Sequence, residues 1–292
     1  MAAIVTLTTD FGWHDGYVGA VKGAILSVDP GISIVDVTHL IAPGAIEQAA
    51  FALFQAAPHF PEGTVHCVVV DPGVGTRRRA MVVRSSGQIF VGPDNGLFSF
   101  VASRSDAMWE VTRFHVPDER PQTFHGRDLF APVAARLAMG MEPGRVGPSL
   151  DDPVWLDWPE PKETGKGGLS GEVVFVDRFG NFVTNLPNEA ILATNDPGDG
   201  GGAGRDGRPP DRVGWTLRVL DQSVVVARSF GSVASGRLVA YAGSSGCIEV
   251  AVRDGSAADR FAAWSDHDVG GLHDRMVGLS VMLEPKPGME QE

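Results

Sequence analysis

The chain has 292 residues, 43% of them apolar and 21% charged, with 36 acidic against 24 basic side chains and a formal net charge of −12. This length predicts roughly two domains, and the composition is that of an ordinary soluble globular chain, which excludes a disordered class. Arg77-Arg78-Arg79 is the one dense basic cluster and there is no long apolar window, so neither a nucleic-acid partner nor a membrane is expected.

Strand and helix signals alternate through the first half. Ile4 to Thr8 reads as a strand, and Gly16 to Val28 carries Val18, Val21, Ile25 and Val28 at helical spacing before Pro30-Gly31 ends it. Ile32 to Val37 is the next strand, Pro43 to Ala57 a helix with Ile46, Ala49, Ala50, Leu53 and Phe54 on one face, and Thr64 to Val70 the third strand. Such βαβαβ alternation implies parallel strands with right-handed crossovers, hence an α/β domain with a doubly wound, mostly parallel sheet over residues 1–150. Short strands at Met81 to Arg84 and Ile89 to Gly92 and a helix near Leu129 to Met139 complete it.

Residues 151–168, rich in Pro, Asp, Trp and Gly without a period, read as a linker. Beyond them come short β-branched runs at Glu172 to Val176, Phe182 to Thr184, Thr216 to Val219, Ser223 to Ala227, Leu238 to Tyr241 and Cys247 to Val252. A smaller all-β domain over 169–286 is expected, interrupted by a mobile Gly/Pro-rich tip at 196–211. Cys67 and Cys247, far apart in apolar runs, read as small buried hydrophobes in a reduced compartment, with no disulfide. With no basic, apolar leader at the N-terminus, the expected location is the cytoplasm.

Chemistry concentrates in five segments. In Val68-Val69-Val70-Asp71-Pro72-Gly73-Val74-Gly75-Thr76-Arg77-Arg78-Arg79 an apolar strand delivers a carboxylate to a turn at its carboxyl edge, where open α/β sheets place ligands. Extended backbone from Thr76 would set Arg78 opposite to Arg77 and Arg79, so that one arginine turns to the Asp71 pocket while its neighbours face water. Asp10 and Asp15 in Thr8-Thr9-Asp10-Phe11-Gly12-Trp13-His14-Asp15-Gly16 follow the first strand, where a carboxylate grips a ribose diol or a cation, or where Asp15 caps the helix. Gly92-Pro93-Asp94-Asn95-Gly96 has turn composition. His125 lies in a glycine-containing loop before a helix, a place for a general acid or base. Asp177-Arg178-Phe179-Gly180-Asn181 reads as a hairpin turn whose Phe179 and Asn181 suit a flat heterocycle.

Gly73-Val74-Gly75 lacks the third glycine of a dinucleotide fingerprint and the Gly-Lys-Ser/Thr of a phosphate loop. Isolated cysteines, no His-Glu-x-x-His and no Gly-x-Ser-x-Gly leave zinc and serine-hydrolase readings unsupported.

Taken together, Thr9-Asp10-Phe11-Gly12, Asp71-Pro72-Gly73-Val74-Gly75, Gly92-Pro93-Asp94-Asn95-Gly96-Leu97, Phe124-His125-Gly126-Arg127-Asp128, Phe179-Gly180-Asn181 and Ser244-Ser245-Gly246 resemble the S-adenosyl-L-methionine hydroxide adenosyltransferases, relatives of the fluorinases and chlorinases. The resemblance implies hydrolysis of S-adenosyl-L-methionine to adenosine and L-methionine by water or hydroxide attack at ribose C5′, with Asp71, Arg78 and His125 as the hydrolytic centre. It implies that Asp10 holds the ribose hydroxyls, that Asp177, Phe179 and Asn181 meet the adenosine or methionine portion, and that Ser245 and Asp254 line the rest. It further implies a barrel-like second domain and a homotrimer with sites between subunits. No metal or cofactor is implied, because the sulfonium departs as a neutral thioether. Asp71 stands where halogenating relatives carry tyrosine, and Gly44 where the fluorinase has a bulky aromatic. Two other functions fit part of the same residues: a calcium-dependent nucleoside hydrolase, with Asp10, Asp15 and Asp94 as ligands, and a non-catalytic adenosyl-ligand binding protein.

Overall fold

The computed structural model describes residues 3–103, 105–117, 119, 121–165, 167–192, 214–262 and 276–286; the tip expected at 196–211 lies outside them. The chain divides into two compact units, Met1–Asp157 and Trp158–Glu292.

In the first unit the expected alternation is present: β1 (Ile4–Thr9), α1 (Tyr17–Val28), β2 (Ser33–Thr38), α2 (Ile46–Ala56) and β3 (Val65–Val69), then β4 (Ala80–Ser85), β5 (Gln88–Pro93), α3 (Ser99–Ala102), β6 (Ala107–Glu110) and α4 (Ala131–Ala138). The sheet order is β2-β1-β3-β5-β4-β6, with β1, β2, β3 and β5 parallel and β4 antiparallel to both neighbours. β4 turns into β5 through Ser86 and Gly87, both at positive φ, and Ser85 pairs Gln88; this is a two-residue hairpin whose backbone suits the strand twist.

Strand side chains alternate between two covered faces. Val5, Leu7, Val65, Cys67 and Val69 pack under Val21 and Ile25 of α1 and Val133, Ala134 and Leu137 of α4. Val68, Val70, Met81, Val83 and Phe90 pack under Ala49 and Leu53 of α2. Helices on both faces explain the near-continuous apolar runs of these strands. The helix expected from Leu129 begins instead with a wide π turn at Gly126–Phe130, continued by α4.

His66, on β3, is fully buried between Phe60 and Phe90, and its Nδ1 meets the Thr6 hydroxyl at 2.8 Å. Burial pushes its pKa down from 6.5 to about 4, so the folded chain holds it neutral. The unfolded chain protonates near pH 6.5, so the stabilisation is complete above that pH and is lost as pH falls, about 3 kcal/mol by pH 4. Urea titrations between pH 7 and 4 check this. His66→Gln is expected to flatten the acid loss, and parallel curves for the two proteins would contradict it.

The second unit contains β7 (Lys162–Glu163), β8 (Leu169–Val176), β9 (Phe182–Pro187), α5 (Glu189–Leu192), β10 (Trp215–Val219), β11 (Gln222–Val226), β12 (Leu238–Ala242), β13 (Cys247–Val252), α6 (Ala257–Phe261) and β14 (Ser280–Pro285). The order β14-β10-β11-β12-β13-β9-β8 closes on itself through β14–β8 pairing, and β7 adds to β8. Closure removes the exposed edges that an open sheet of short strands would leave. Val173, Phe182, Leu217, Val224, Val226, Val250 and Leu283 fill the interior with Phe261 of α6. β14, absent from the sequence reading, supplies Val281 and Leu283 inward while Met282 faces out. Both cysteines are free, Cys67 buried and Cys247 partly exposed.

Of the segment read as a linker, Asp152 and Val154 are bonded to Arg79 and Asp94, and Leu156 N–H donates to Ser99 Oγ, all within the first unit.

Candidate active site

The segment from Asp71 to Arg79 forms a turn at the carboxyl edge of β3. β4 runs antiparallel to β5, so its first residues lie at the same edge, and the loop from Asp71 to Arg79 starts and ends there. Asp71 and Arg78 meet as a bidentate pair: Arg78 Nε donates to Asp71 Oδ1 at 3.0 Å and Nη2 to Oδ2. Their side chains are only 5% and 8% exposed, so the attraction acts with little solvent screening. Arg78 Nη1 donates to the Arg79 carbonyl at 3.0 Å, and the guanidinium lies 5.2 Å from the centre of the Phe130 ring.

His125 reaches the same guanidinium from the loop preceding the π turn, with Nδ1 3.0 Å from Arg78 Nη2. An arginine only donates, so Nδ1 accepts and the ring proton sits on Nε2, which faces Gln122 Oε1 at 3.4 Å. Burial first, and the Arg78 charge second, hold the His125 pKa below its ordinary value, against the opposing pull of Asp71 and Asp128. The imidazole is therefore neutral at neutral pH.

Asp71 and His125 border a cavity of about 310 Å³ that is also lined by Asp10, Phe11, Gly44 and Val74, among others. Asp10 is oriented by the Gly44 N–H, which donates to its Oδ2 at 2.9 Å. Gly44 has φ +74°, and a Cβ there would meet only Pro72 Cβ at 3.9 Å, so the wall is open and the backbone favours glycine. The Asp10 loop is pinned from behind: Gly12 N–H donates to the His39 carbonyl, and buried His39 bridges the Thr9 hydroxyl at 2.8 Å and Asp36 at 3.0 Å. A wider cleft of about 590 Å³ along Ala24, Ser27, Pro132 and Arg136 contains none of the Asp71, Arg78 and His125 set.

Two expectations from the loops need correction. Arg77 is exposed as expected, but Arg79, 29% exposed, is tied down rather than free in water: its Nε donates to Asp94 Oδ2 at 2.8 Å and its Nη1 to Asp152 Oδ1 at 2.8 Å. Asp15 does not cap α1, whose first turn has Gly16 at the N-cap and no side-chain cap; Asp15 stays largely exposed beside His14. Asp94, a ligand in the calcium reading, is buried with Oδ2 on Arg79 and Oδ1 accepting from Val154 N–H. Among the described residues no group of three or more His, Cys, Asp or Glu could hold a metal ion.

In the second unit, Asp177 organises the hairpin turn between β8 and β9. Its Oδ1 accepts from the Phe179 and Asn181 N–H groups, each at 2.8 Å, and its Oδ2 from Asn181 Nδ2 at 2.9 Å. The turn presents Phe179 with 75% of its surface exposed. Ser245 is buried and its hydroxyl has no hydrogen-bond partner among the described residues, whereas the Asp254 side chain is 66% exposed, 3.7 Å from Arg253. The sequence reading missed Gln122 and His39. Gln122 carries no motif, and the Thr38-His39 pair ends a strand without a chemical signature of its own.

The SAM hydroxide adenosyltransferase N-terminal domain matches residues 5–147 and the C-terminal domain matches residues 171–269. The chain belongs to the SAM hydroxide adenosyltransferase family. Within the family's wider range, the chain is 40% identical over 266 residues to an (R)-S-adenosyl-L-methionine hydrolase of Thermus thermophilus, covering 87% of this chain and 94% of the relative. It is 38% identical over 260 residues to the protein of the same description from Salinispora tropica, covering 87% and 92%. A fluorinase of Actinoplanes sp. is more distant, 32% identical over 212 residues, covering 63% of this chain and 71% of the fluorinase. Among solved structures, an uncharacterized conserved protein from Thermotoga maritima superposes with a TM-score of 0.78 at 33% identity, covering 96% of this chain and 99% of that one.

Proposed function

We propose that this family member hydrolyses S-adenosyl-L-methionine to adenosine and L-methionine by attack of water at ribose C5′. The observation that carries the reading is the buried Asp71–Arg78 pair joined to neutral His125 beside the cavity that Asp10 lines. Hydroxide meeting a sulfonium cancels opposite charges, so a water-poor pocket favours the transition state over the separated ions. Arg78 favours the hydroxide form of the bound water. His125 Nδ1 is occupied by Arg78 and Nε2 carries its proton, so the lone pairs left for the water's proton are those of Asp71. Asp10 takes the ribose hydroxyls, and Asp177, Phe179, Asn181, Ser245 and Asp254 the remainder of the substrate. We also place the protein in the cytoplasm, as a homotrimer in which the Asp10 and Asp71 unit of one subunit faces the Phe179 and Asn181 unit of the next. Exposed Phe179 at a rigid turn supports that arrangement. No described helix is long and apolar enough to cross a membrane.

Chromatography of products from S-adenosyl-L-methionine without added metal tests the reaction. Adenosine and L-methionine are expected, and adenine or methylthioadenosine as the major product would overturn it. A carboxylate at position 71 repels halide, so chloride at high concentration is expected to give at most a trace of 5′-chloro-5′-deoxyadenosine. Co-assembly of Asp71→Asn with Asn181→Ala chains is expected to recover some activity; verified mixed trimers without any would place each site within one chain.

His125 also predicts a pH dependence. Its pKa lies below the ordinary 6.5 in the substrate-free protein, so the acid fall of kcat/KM is expected below that value. A pH–kcat/KM profile with its acid limb at or above 6.5 would contradict this.

A further inference from the structure

The Gly92-Pro93-Asp94-Asn95-Gly96 turn is the one sequence motif of the first unit that the proposed reaction does not use, yet its bonds converge on the Asp71–Arg78 pair. Asn95 Nδ2 donates at 2.9 Å to the carbonyl of Val70, the residue before Asp71, and Asn95 Oδ1 receives Leu97 N–H at 3.3 Å. Asp94 acts on the other partner. Its backbone N–H donates at 2.9 Å to the Arg79 carbonyl, the same oxygen that receives Arg78 Nη1 at 3.0 Å. Its carboxylate, 1% exposed, holds the Arg79 guanidinium through Nε at 2.8 Å and Nη2 at 2.7 Å. The other carboxylate oxygen takes Val154 N–H at 2.8 Å, and Arg79 reaches on to the Asp152 side chain and carbonyl.

We propose that Asp94 and Asn95 are positioning residues that clamp both ends of the Asp71–Arg78 loop, Asn95 through the Val70 carbonyl and Asp94 through Arg79, and thereby hold the Arg78 guanidinium between Asp71 and His125. The proposal rests on the catalytic reading of that set. Its logic is geometric: Arg79 has no contact with the cavity, but its carbonyl fixes where Arg78 can place its third nitrogen. Releasing the Arg79 side chain leaves that carbonyl held by the Asp94 N–H alone, so the loop end loosens, and a misplacement of about 1 Å at a reacting centre costs about 100-fold in rate.

Asp94→Asn keeps the shape and the acceptor for Val154 N–H while removing the charge that grips Arg79. Arg79→Lys is the softer second variant, keeping the charge but losing the two-pronged grip. Both are expected to lower kcat by about 10- to 100-fold with KM within about twofold. A readout in substrate-free enzyme separates this proposal from the reaction itself: the His125 imidazole titration followed by NMR. The charged groups facing His125 are Arg78, Asp71 and Asp128. Deleting the Asp94 carboxylate, by charge alone, would lower the His125 pKa. Displacement of Arg78 would raise it, so an upward movement in Asp94→Asn is the signature of the clamp, and a smaller upward movement is expected in Arg79→Lys. A His125 titration that is unmoved or moves down, or a kcat loss matched by an equal rise in KM, would overturn the proposal. If wild-type protein fails to hydrolyse S-adenosyl-L-methionine, the reaction is wrong, and the NMR shift still decides the clamp.

Discussion

Asp71→Asn is expected to lower kcat by about 10²- to 10⁴-fold, the range for loss of positioned proton transfer, with little change in affinity for S-adenosyl-L-methionine. The asparagine keeps one oxygen for Arg78 Nε but turns an amide donor toward Nη2, so the second prong of the pair becomes a clash of donors. Arg78 is almost fully buried and cannot recover by hydration. The same substitution is therefore expected to destabilise the fold by about 3–5 kcal/mol, the usual result of leaving a buried charge without its partner. Single-turnover kinetics beside calorimetric titration of the substrate separate the two effects. A folded Asp71→Asn protein with full turnover would remove the carboxylate from the mechanism.

Asp10→Ala is expected to fail differently, weakening substrate binding by about 1.5–3 kcal/mol, the scale of hydrogen bonds to a charged group, or roughly 10- to 150-fold in Kd. Asp10 is already oriented before any ligand arrives, because Gly44 N–H occupies Oδ2 and leaves Oδ1 for a hydroxyl. The substitution also leaves the Gly44 N–H without its acceptor, which loosens the open wall of the cavity. Normal binding by Asp10→Ala would show that the ribose is held elsewhere.

The parallel core was legible because both of its faces are buried: β3 is apolar at every position but His66, β1 is β-branched at every position but Leu7, and α1 and α2 carry one apolar face each. The pairing sense of β4 was not legible, because a six-residue strand carries no direction and only the Ser86-Gly87 turn fixes it. β6 and β14 escaped notice for a related reason. They are short, they alternate weakly, and their partners β4, β8 and β10 are remote in sequence. Of the site, alternation turned one arginine of the Arg77-Arg78-Arg79 run toward Asp71, and the resemblance chose Arg78. The join to His125 followed from resemblance alone, since nothing within residues 123–128 says what the ring touches. Arg79 was misjudged because alternation treats side chains as independent of the rest of the chain, whereas its guanidinium found two carboxylates 15 and 73 positions away.

The antiparallel course of β4 has an entropic consequence. Asp71 and Arg78 are seven positions apart, whereas Arg78 and His125 are 47 apart. Closing the shorter loop costs about 1.7 kcal/mol less in chain entropy. The carboxylate–guanidinium pair is thus a local contact, formed when the chain reverses after β3, and the histidine arrives from far along the chain. Residues inserted between Asp71 and Arg78 would act on the centre directly, while extra length between Arg79 and His125 would be absorbed by the strands and helices that intervene.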